Sequence, residues 1–251
     1  MTDFTGKRVL ITGAGRGLGR QFAVDFAAAG ALVVVNYSRS AAAAEEVVAK
    51  IAAVGGEAFC VGADITRSDQ VAAMFEEIAQ RIGGLDILIN NAGLSRDGPL
   101  LEMTEEDWDA VISVNLKGPF LCSQYAGRMM TAEGCSGGRI INISGLSSIS
   151  GRKNCANYAS SKAGLNALTR CLALELGPQV TVNAVVLGFF DSPLVRELFS
   201  PEQVSAAVET MPVGRTGRFE EASGFVRYLA SDAAAFMTGQ TVSFDGGQIM
   251  R

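Results

Sequence analysis

Short apolar, β-branched runs recur along the chain, each bounded by polar or turn-forming residues: "RVLIT" at 8 to 12, "LVVVN" at 32 to 36, "AFCVG" at 58 to 62, "LDILIN" at 85 to 90, "RIINIS" at 139 to 144, "VTVNAVV" at 180 to 186 and "QTVSFD" at 240 to 245. These runs have the length and residue types of strands. Between the third and fourth the period changes. Val71, Met74, Phe75, Ile78 and Ile82 recur at spacings of three and four, which places one apolar stripe on a helix lying against a sheet. The alternation predicts an α/β fold, and crossover helices predict parallel strands. No proline-rich linker, charge block or repeat interrupts it, and Ala41 to Ala44 reads as the start of a helix. Residues 1–251 are therefore expected to form one domain.

Composition supports this picture, since 251 residues with 48% apolar content can fill one large core. A net charge of -5 without a lysine or arginine cluster gives no electrostatic footprint for nucleic acid or an anionic membrane. The apolar runs fall far short of the roughly 20 residues of a membrane-spanning helix. The start "MTDFTGKRVLIT" lacks the basic lead and long apolar core of a signal peptide, so a cytoplasmic location is expected. Cys60, Cys122, Cys135, Cys155 and Cys171 are scattered without metal-ligand spacing and read as buried thiols. The chain contains no histidine, which removes Ser-His-Asp and Cys-His catalysis and His-ligated zinc. No metal site is expected, and acid-base work falls to Tyr, Lys, Asp, Glu or Cys.

The stretch "LITGAGRGLGRQFAVDF" sets Gly13, Gly15, Gly17 and Gly19 between the first strand and a helix with Phe22, Ala23, Phe26 and Ala27 on one face. Residues without side chains let backbone N–H groups and the positive helix end approach a pyrophosphate. Their spacing, T-G-x-x-x-G-x-G from Thr12 to Gly19, resembles that of the short-chain dehydrogenase/reductase family. "NNAG" at Asn90 to Gly93, "VNL" around Asn115, "YASSK" from Tyr158 to Lys162 and "TGQTVSFDGG" near the C-terminus extend the likeness over essentially the whole chain. The resemblance implies a single-domain Rossmann-type, doubly wound sheet of about seven parallel strands flanked by helices on both faces. Gly13, Arg16, Gly17, Leu18, Gly19, Asp64, Ile65, Asn91, Ala92, Gly93, Tyr158, Lys162, Gly188, Phe190 and Ser192 are the implied cofactor contacts. Asp64 can equally cap the helix that begins near Ser68.

The second strand ends in Asn36, followed by Tyr37, Ser38 and Arg39, where an acid would hold the adenosine ribose and repel a 2'-phosphate. Arg16 and Arg39 suit a phosphate, so NADP(H) is favoured. NAD(H) accepted through Asn36, with both arginines as solvated loop residues, is the alternative.

Tyrosine titrates near pH 10 and needs help to act at neutral pH. Lys162 lies four residues beyond Tyr158, on the same helix face. The resemblance implies that Tyr158 exchanges a proton with the substrate oxygen during hydride transfer. In the same scheme Lys162 lowers the tyrosine pKa and holds the nicotinamide ribose, and Asn115 organises a proton relay. The family's substrate-orienting serine falls at Gly145. Ser144 would face away along an extended segment, and Ser147 would share the face of residue 145 about 6 to 7 Å further on. Three readings stay open. Ser144 or Ser147 substitutes; Gly145 makes room for a bulky or self-orienting substrate; or the chain binds dinucleotide without turnover, natively or through a change at this position that traps a complex.

The stretch "LGFFDSPLVRELF" from Leu187 to Phe199 corresponds to the family's substrate lid, around residues 189–215, with Phe189, Phe190, Leu194, Leu198 and Phe199 as an apolar pocket wall, the last three alternatively as a helix packed on the core. Gly145, Phe189 and Leu194 are the expected substrate contacts. Overall the likeness is greatest to 3-oxoacyl-[acyl-carrier-protein] reductase-type members. It implies an NADP(H)-dependent oxidoreductase interconverting a ketone and a secondary alcohol, reducing a 3-oxoacyl thioester or a related polyketide or small carbonyl compound. A Tyr/Lys-dependent isomerase or dehydratase is a further alternative. An acyl carrier protein is a candidate partner, although Thr131 to Gly138 supplies no basic residue and only Arg128 and Arg170 stand nearby. Leu165, Leu168, Cys171, Leu172, Leu174 and Leu176 put apolar groups on several sides of the helix after Tyr158. Together with a helix from about Trp108 to Met130, it is expected to face other subunits of a homotetramer.

Overall fold

A computed structural model describes residues 3–190, 195 and 199–250. Of the residues singled out above, Ser192, Leu194 and Leu198 lie outside the described residues. Seven strands form one sheet: β1 (Arg8–Ile11), β2 (Leu32–Tyr37), β3 (Glu57–Gly62), β4 (Ile87–Asn90), β5 (Gly138–Gly145), β6 (Val180–Leu187) and β7 (Thr241–Phe244). Their order is β3-β2-β1-β4-β5-β6-β7, and every neighbouring pair is parallel. All seven expected strands are present within a few residues of the sequence bounds. Because the order reverses between β1 and β4, the carboxyl ends of these strands open a crevice.

Period-two alternation divides the core into two layers. Val9, Ile11, Val33, Val35, Ile87 and Ile89 pack with Phe22 and Phe26 of α1 (Gly17–Ala28). Leu10, Val34, Leu88 and Ile140 pack on the other face with Val71, Met74, Phe75 and Ile78 of α3 (Ser68–Ile82). Strands covered on both faces read as near-continuous apolar runs, as these do. α3 stops at Gly83, whose φ of 73° carries its N–H back to the Ala79 carbonyl. α2 (Ala41–Ala53) starts where its sequence predicts, with the Ser40 hydroxyl accepting the Ala43 N–H.

Register at the start of the central strands is tied by one ion pair. Arg8 Nε and backbone N–H both donate to Asp86 Oδ2, at 2.7 and 2.8 Å, and the Asp86 carbonyl accepts the Arg139 N–H at the foot of β5. Burial alone pushes the Asp86 carboxyl up, but the Arg8 hydrogen bonds overcome it and hold its pKa below the usual carboxylate range.

The helix expected from Trp108 to Met130 is broken into three pieces. α4 (Glu105–Ile112) gives way to a π-helical turn at Ser113–Lys117 before α5 (Gly118–Met130). Pro119 explains the widening, because it has no N–H to return to the carbonyl of Asn115. The short α6 (Ser147–Ser150) packs on α7 (Ala156–Leu176), which runs along β5 and β6; α8 (Pro201–Glu209) comes next in the chain, and α9 (Phe219–Ala230) packs against α1.

The expectation of buried thiols holds for Cys122 and Cys155 and fails for Cys135 and Cys171, which are exposed. Cys135 lies in the loop before β5, and Cys171 lies on the outer side of α7, where Leu174 is also exposed. Among the described residues no helix is long and apolar enough to cross a membrane, and no cluster of metal-ligating residues forms.

Candidate active site

Thr12, the last residue of the first apolar run, joins the two loops of the crevice. Its hydroxyl accepts the N–H groups of Asn91 and Ala92, both at 3.0 Å, and donates to the Ile89 carbonyl at 3.4 Å. The Asn91 amide answers by donating to the carbonyls of Thr12 and Gly13. Such closeness needs glycine at 13, where φ is +63° and a Cβ would stand 2.9 Å from the Ala92 Cα. At Gly19 a Cβ would run into the Asn91 side chain and, at 2.7 Å, the Gly13 carbonyl. α1 has no side-chain cap and no acid in its first turn, so its leading amides suit an anion. The bare glycine loop, the uncapped helix and the lack of a carboxylate there fit a dinucleotide pyrophosphate.

Asn36 does something other than the sequence suggests. It is buried; its Oδ1 accepts the Gly13 N–H at 3.3 Å, and its Nδ2 donates to the carbonyls of Val61 and Ala63 at 3.3 and 3.1 Å. Its amide thus bolts β2 and β3 to the glycine loop and is not turned toward a ribose. Ser38 and Arg39, beyond the strand, are exposed. Asp64 does not cap α3, whose N-cap residue is Arg67; its carboxylate accepts the Thr66 N–H and hydroxyl in a tight local turn. Ile65 is buried and stands where a Cβ on Gly118 would strike it.

Tyr158 and Lys162 occupy the first turns of α7, with the Lys162 ammonium 5.9 Å from the tyrosine ring centroid. Lys162 is buried and donates to the Ile143 carbonyl of β5 at 2.7 Å. Burial pushes its pKa down to about 8. Tyr158 is pushed up to about 12, chiefly by burial and secondarily by Cys155, with Arg152 pulling the other way. The net shift of the phenol is therefore upward, with burial as its leading cause. Asn115 sits in the π turn, where its Oδ1 accepts the Leu94 N–H and its Nδ2 donates to the Leu94 carbonyl and the Ser161 hydroxyl, at 2.8, 2.8 and 3.0 Å. It therefore braces the loop after β4 against α7.

Gly145 ends β5 directly beneath the tyrosine, and a Cβ built on it would lie 2.8 Å from the Tyr158 hydroxyl. Position 145 is thus the one that faces the tyrosine oxygen. Ser144 points elsewhere: it is buried, and its hydroxyl lies 3.4 Å from that of Ser148 and 3.5 Å from the Lys162 carbonyl. Ser147 opens the short α6. The structure brings neither serine to a hydrogen bond with Tyr158.

Gly188 follows β6 in close contact with Asp245 and Gln248, and the Phe189 N–H donates to Gln248 at 3.0 Å. The Phe190 ring turns into the core beside Phe244, so it is not a pocket wall, whereas Phe189 meets Phe199 edge-on with centroids 5.0 Å apart. Thr12, Ser161 and Arg152 were not singled out from the sequence. Thr12 and Ser161 stood inside the quoted motifs; Arg152 offered only a cation in the loop before Tyr158.

Comparison with known proteins agrees with this geometry. A family model described as Enoyl-(Acyl carrier protein) reductase matches residues 13–248. A Synechocystis protein named 3-oxoacyl-[acyl-carrier-protein] reductase is 42% identical over 252 residues, covering all of both chains. The Staphylococcus aureus protein of the same name is 41% identical over 97% of this chain and 98% of its own. A solved short-chain type dehydrogenase/reductase from Mycobacterium marinum superimposes with a TM-score of 0.93 at 38% identity, covering 99% of this chain and 98% of the other.

The role found for Asn36 is open to test. Asn36→Asp sets a carboxylate oxygen against the carbonyls of Val61 and Ala63, which raises the carboxyl pKa in the folded state. Stability is then retained below the unfolded carboxyl pKa near 4 and lost as pH rises. Urea unfolding should show a loss of about 2 kcal/mol at pH 8 that shrinks toward pH 4. An equal stability to the parent at pH 8 contradicts the assignment.

Proposed function

Since the chain belongs to the short-chain dehydrogenase/reductase family and is an NAD(P)-dependent oxidoreductase of that type, we propose that it uses NADPH to reduce the ketone of a 3-oxoacyl thioester, or a related small carbonyl compound, to a secondary alcohol. The carrying observation is the Tyr158–Lys162 pair: a phenol that burial keeps protonated, beside a buried ammonium on the same helix face. The names of the curated relatives support the 3-oxoacyl substrate and an acyl carrier protein as its bearer.

When bound, the dinucleotide supplies a hydride. Gly13, Arg16, Gly17, Leu18 and Gly19 would hold its pyrophosphate, Ser38 and Arg39 its adenosine phosphate, and Asp64 and Ile65 its adenine. Asn91, Ala92, Gly93, Lys162 and Gly188 would hold the nicotinamide half. The absence of an acid at Asn36 to Arg39 favours a 2'-phosphate at that end.

Tyr158 donates its hydroxyl proton to the ketone oxygen, and the Lys162 ammonium stabilises the phenolate that remains. Asn115 keeps the loop after β4 and α7 at fixed separation, so the pair does not drift from the reacting carbon. Gly145 sets no hydroxyl beside that of Tyr158. The exposed Trp108, Phe120 and Leu174 on α4, α5 and α7 support a homotetramer built through those helices.

The test is NADPH oxidation across 3-oxoacyl thioesters and small ketones, with NADH alongside. Turnover with NADPH preferred is expected, and Tyr158→Phe should lower kcat by about 10³-fold. With Tyr158 protonated to about 12 and Lys162 charged only below about 8, kcat/KM for reduction should be level at lower pH and fall above 8. Gly145→Ala presses a methyl on the tyrosine hydroxyl and should cost about tenfold in kcat. Binding of NADPH without oxidation of any substrate favours a chain that holds dinucleotide without turnover. Near-parental kcat in Tyr158→Phe refutes the assignment of the proton donor.

A further inference from the structure

We propose that Arg152 binds the acyl end of the substrate, donating to an oxygen on C1 while Tyr158 donates to the ketone oxygen on C3, so that the pocket selects 3-oxoacyl compounds over plain ketones. The inference rests on the ketone-reductase reading and deepens it. It also supplies what Gly145 leaves out, a second fixed point for the substrate.

Arg152 stands in the turn between α6 and α7, six residues before the tyrosine. That turn is held rigidly. Gly151 and Asn154 both take positive φ, at 67° and 63°, and the Asn154 carbonyl accepts the Gly98 N–H at 2.8 Å from the loop after β4. The Arg152 side chain is 30% exposed and pairs through Nη2 with Asp97, whose other oxygen accepts the Ser95 hydroxyl. Its guanidinium carbon lies 5.0 Å from the Phe199 ring centroid, and Phe199 in turn packs edge-on against Phe189. The cation is therefore fixed at the mouth, between the loop after β4 and the aromatic pair that follows β6. The turn that carries it leads directly into the first turn of α7, where Tyr158 sits, and its charge acts to lower the phenol pKa.

A guanidinium offers five N–H donors in a planar fork, and Asp97 engages one nitrogen of the three. A carboxylate or a thioester carbonyl presents the acceptor geometry that the fork matches. In a 3-oxoacyl compound that acceptor stands two carbons from the carbon receiving hydride. Anchoring both oxygens fixes the rotation of the reacting carbonyl, the task a hydroxyl at 145 would otherwise share.

The test compares 3-oxobutanoate, its N-acetylcysteamine thioester and 2-butanone with NADPH, in the parent chain and in Arg152→Gln and Arg152→Lys. The ratio of kcat/KM for the 3-oxo compounds to that for 2-butanone should fall by about 10- to 100-fold in Arg152→Gln, mainly through KM, and recover in part in Arg152→Lys. A larger fall for the carboxylate or for the thioester identifies which oxygen source the site is built for. An unchanged ratio overturns the proposal, as does an equal loss for all three substrates, which would mark Arg152 as a support for Phe199 alone. If no ketone is turned over, the reductase reading fails by itself. Quenching of bound NADPH fluorescence by 3-oxobutanoate against 2-butanone then decides this proposal: a preference lost in Arg152→Gln upholds it, and no preference overturns it.

Discussion

The Lys162 ammonium lies inside the protein, bonded at 2.7 Å to the carbonyl of Ile143, and the placement of the site depends on that contact. Burying a cation is costly unless the fold supplies oxygen to it. β5 does so because it runs as far as Gly145 and its partner β6 is paired to it along the whole length. Further polar bonds hold the helix against the strand: Asn142 Nδ2 donates to Thr169 at 2.8 Å, and Asn90 donates to Asn142 from β4. The interior where α7 meets the sheet thus carries a chain of polar bonds. The helix that carries Tyr158 is fixed in rotation by bonds as well as by packing.

The same burial acts on the two titratable groups in opposite senses. It disfavours charge, so it lifts the phenol and lowers the ammonium. The resulting pair is a protonated acid beside a cation poised near physiological pH, an arrangement suited to giving a proton to a ketone. Gly145 makes this acid accessible and leaves it without a neighbouring hydroxyl. The paired charges of Arg152 and Asp97 also act on this phenol, in opposite senses.

The sheet was legible because strands buried on both faces announce themselves as apolar runs, and the glycine loop because close backbone approach excludes side chains. Features set by distant partners were less legible. Asn36 read as a ribose contact, yet three backbone groups from the glycine loop and β3 claim its amide. The helix around Asn115 read as continuous, although Pro119 carried the signal for the π turn. That Ser144 turns away followed from strand alternation, but that it meets Ser148 and the Lys162 carbonyl did not. Arg152 acquires meaning only when the loops that carry Asp97 and Phe199 come together around it.

The central claim is that burial is the main cause that sets the protonation of this pair, and NMR titration of the protein labelled with ¹³C at tyrosine Cζ and ¹⁵N at lysine Nζ tests it most directly. Tyr158→Phe assigns the tyrosine signal. The account predicts that Lys162 titrates near pH 8 while the Tyr158 signal stays that of a phenol beyond pH 10. A Tyr158 signal that turns to phenolate below about pH 9, with Lys162 still charged, contradicts it.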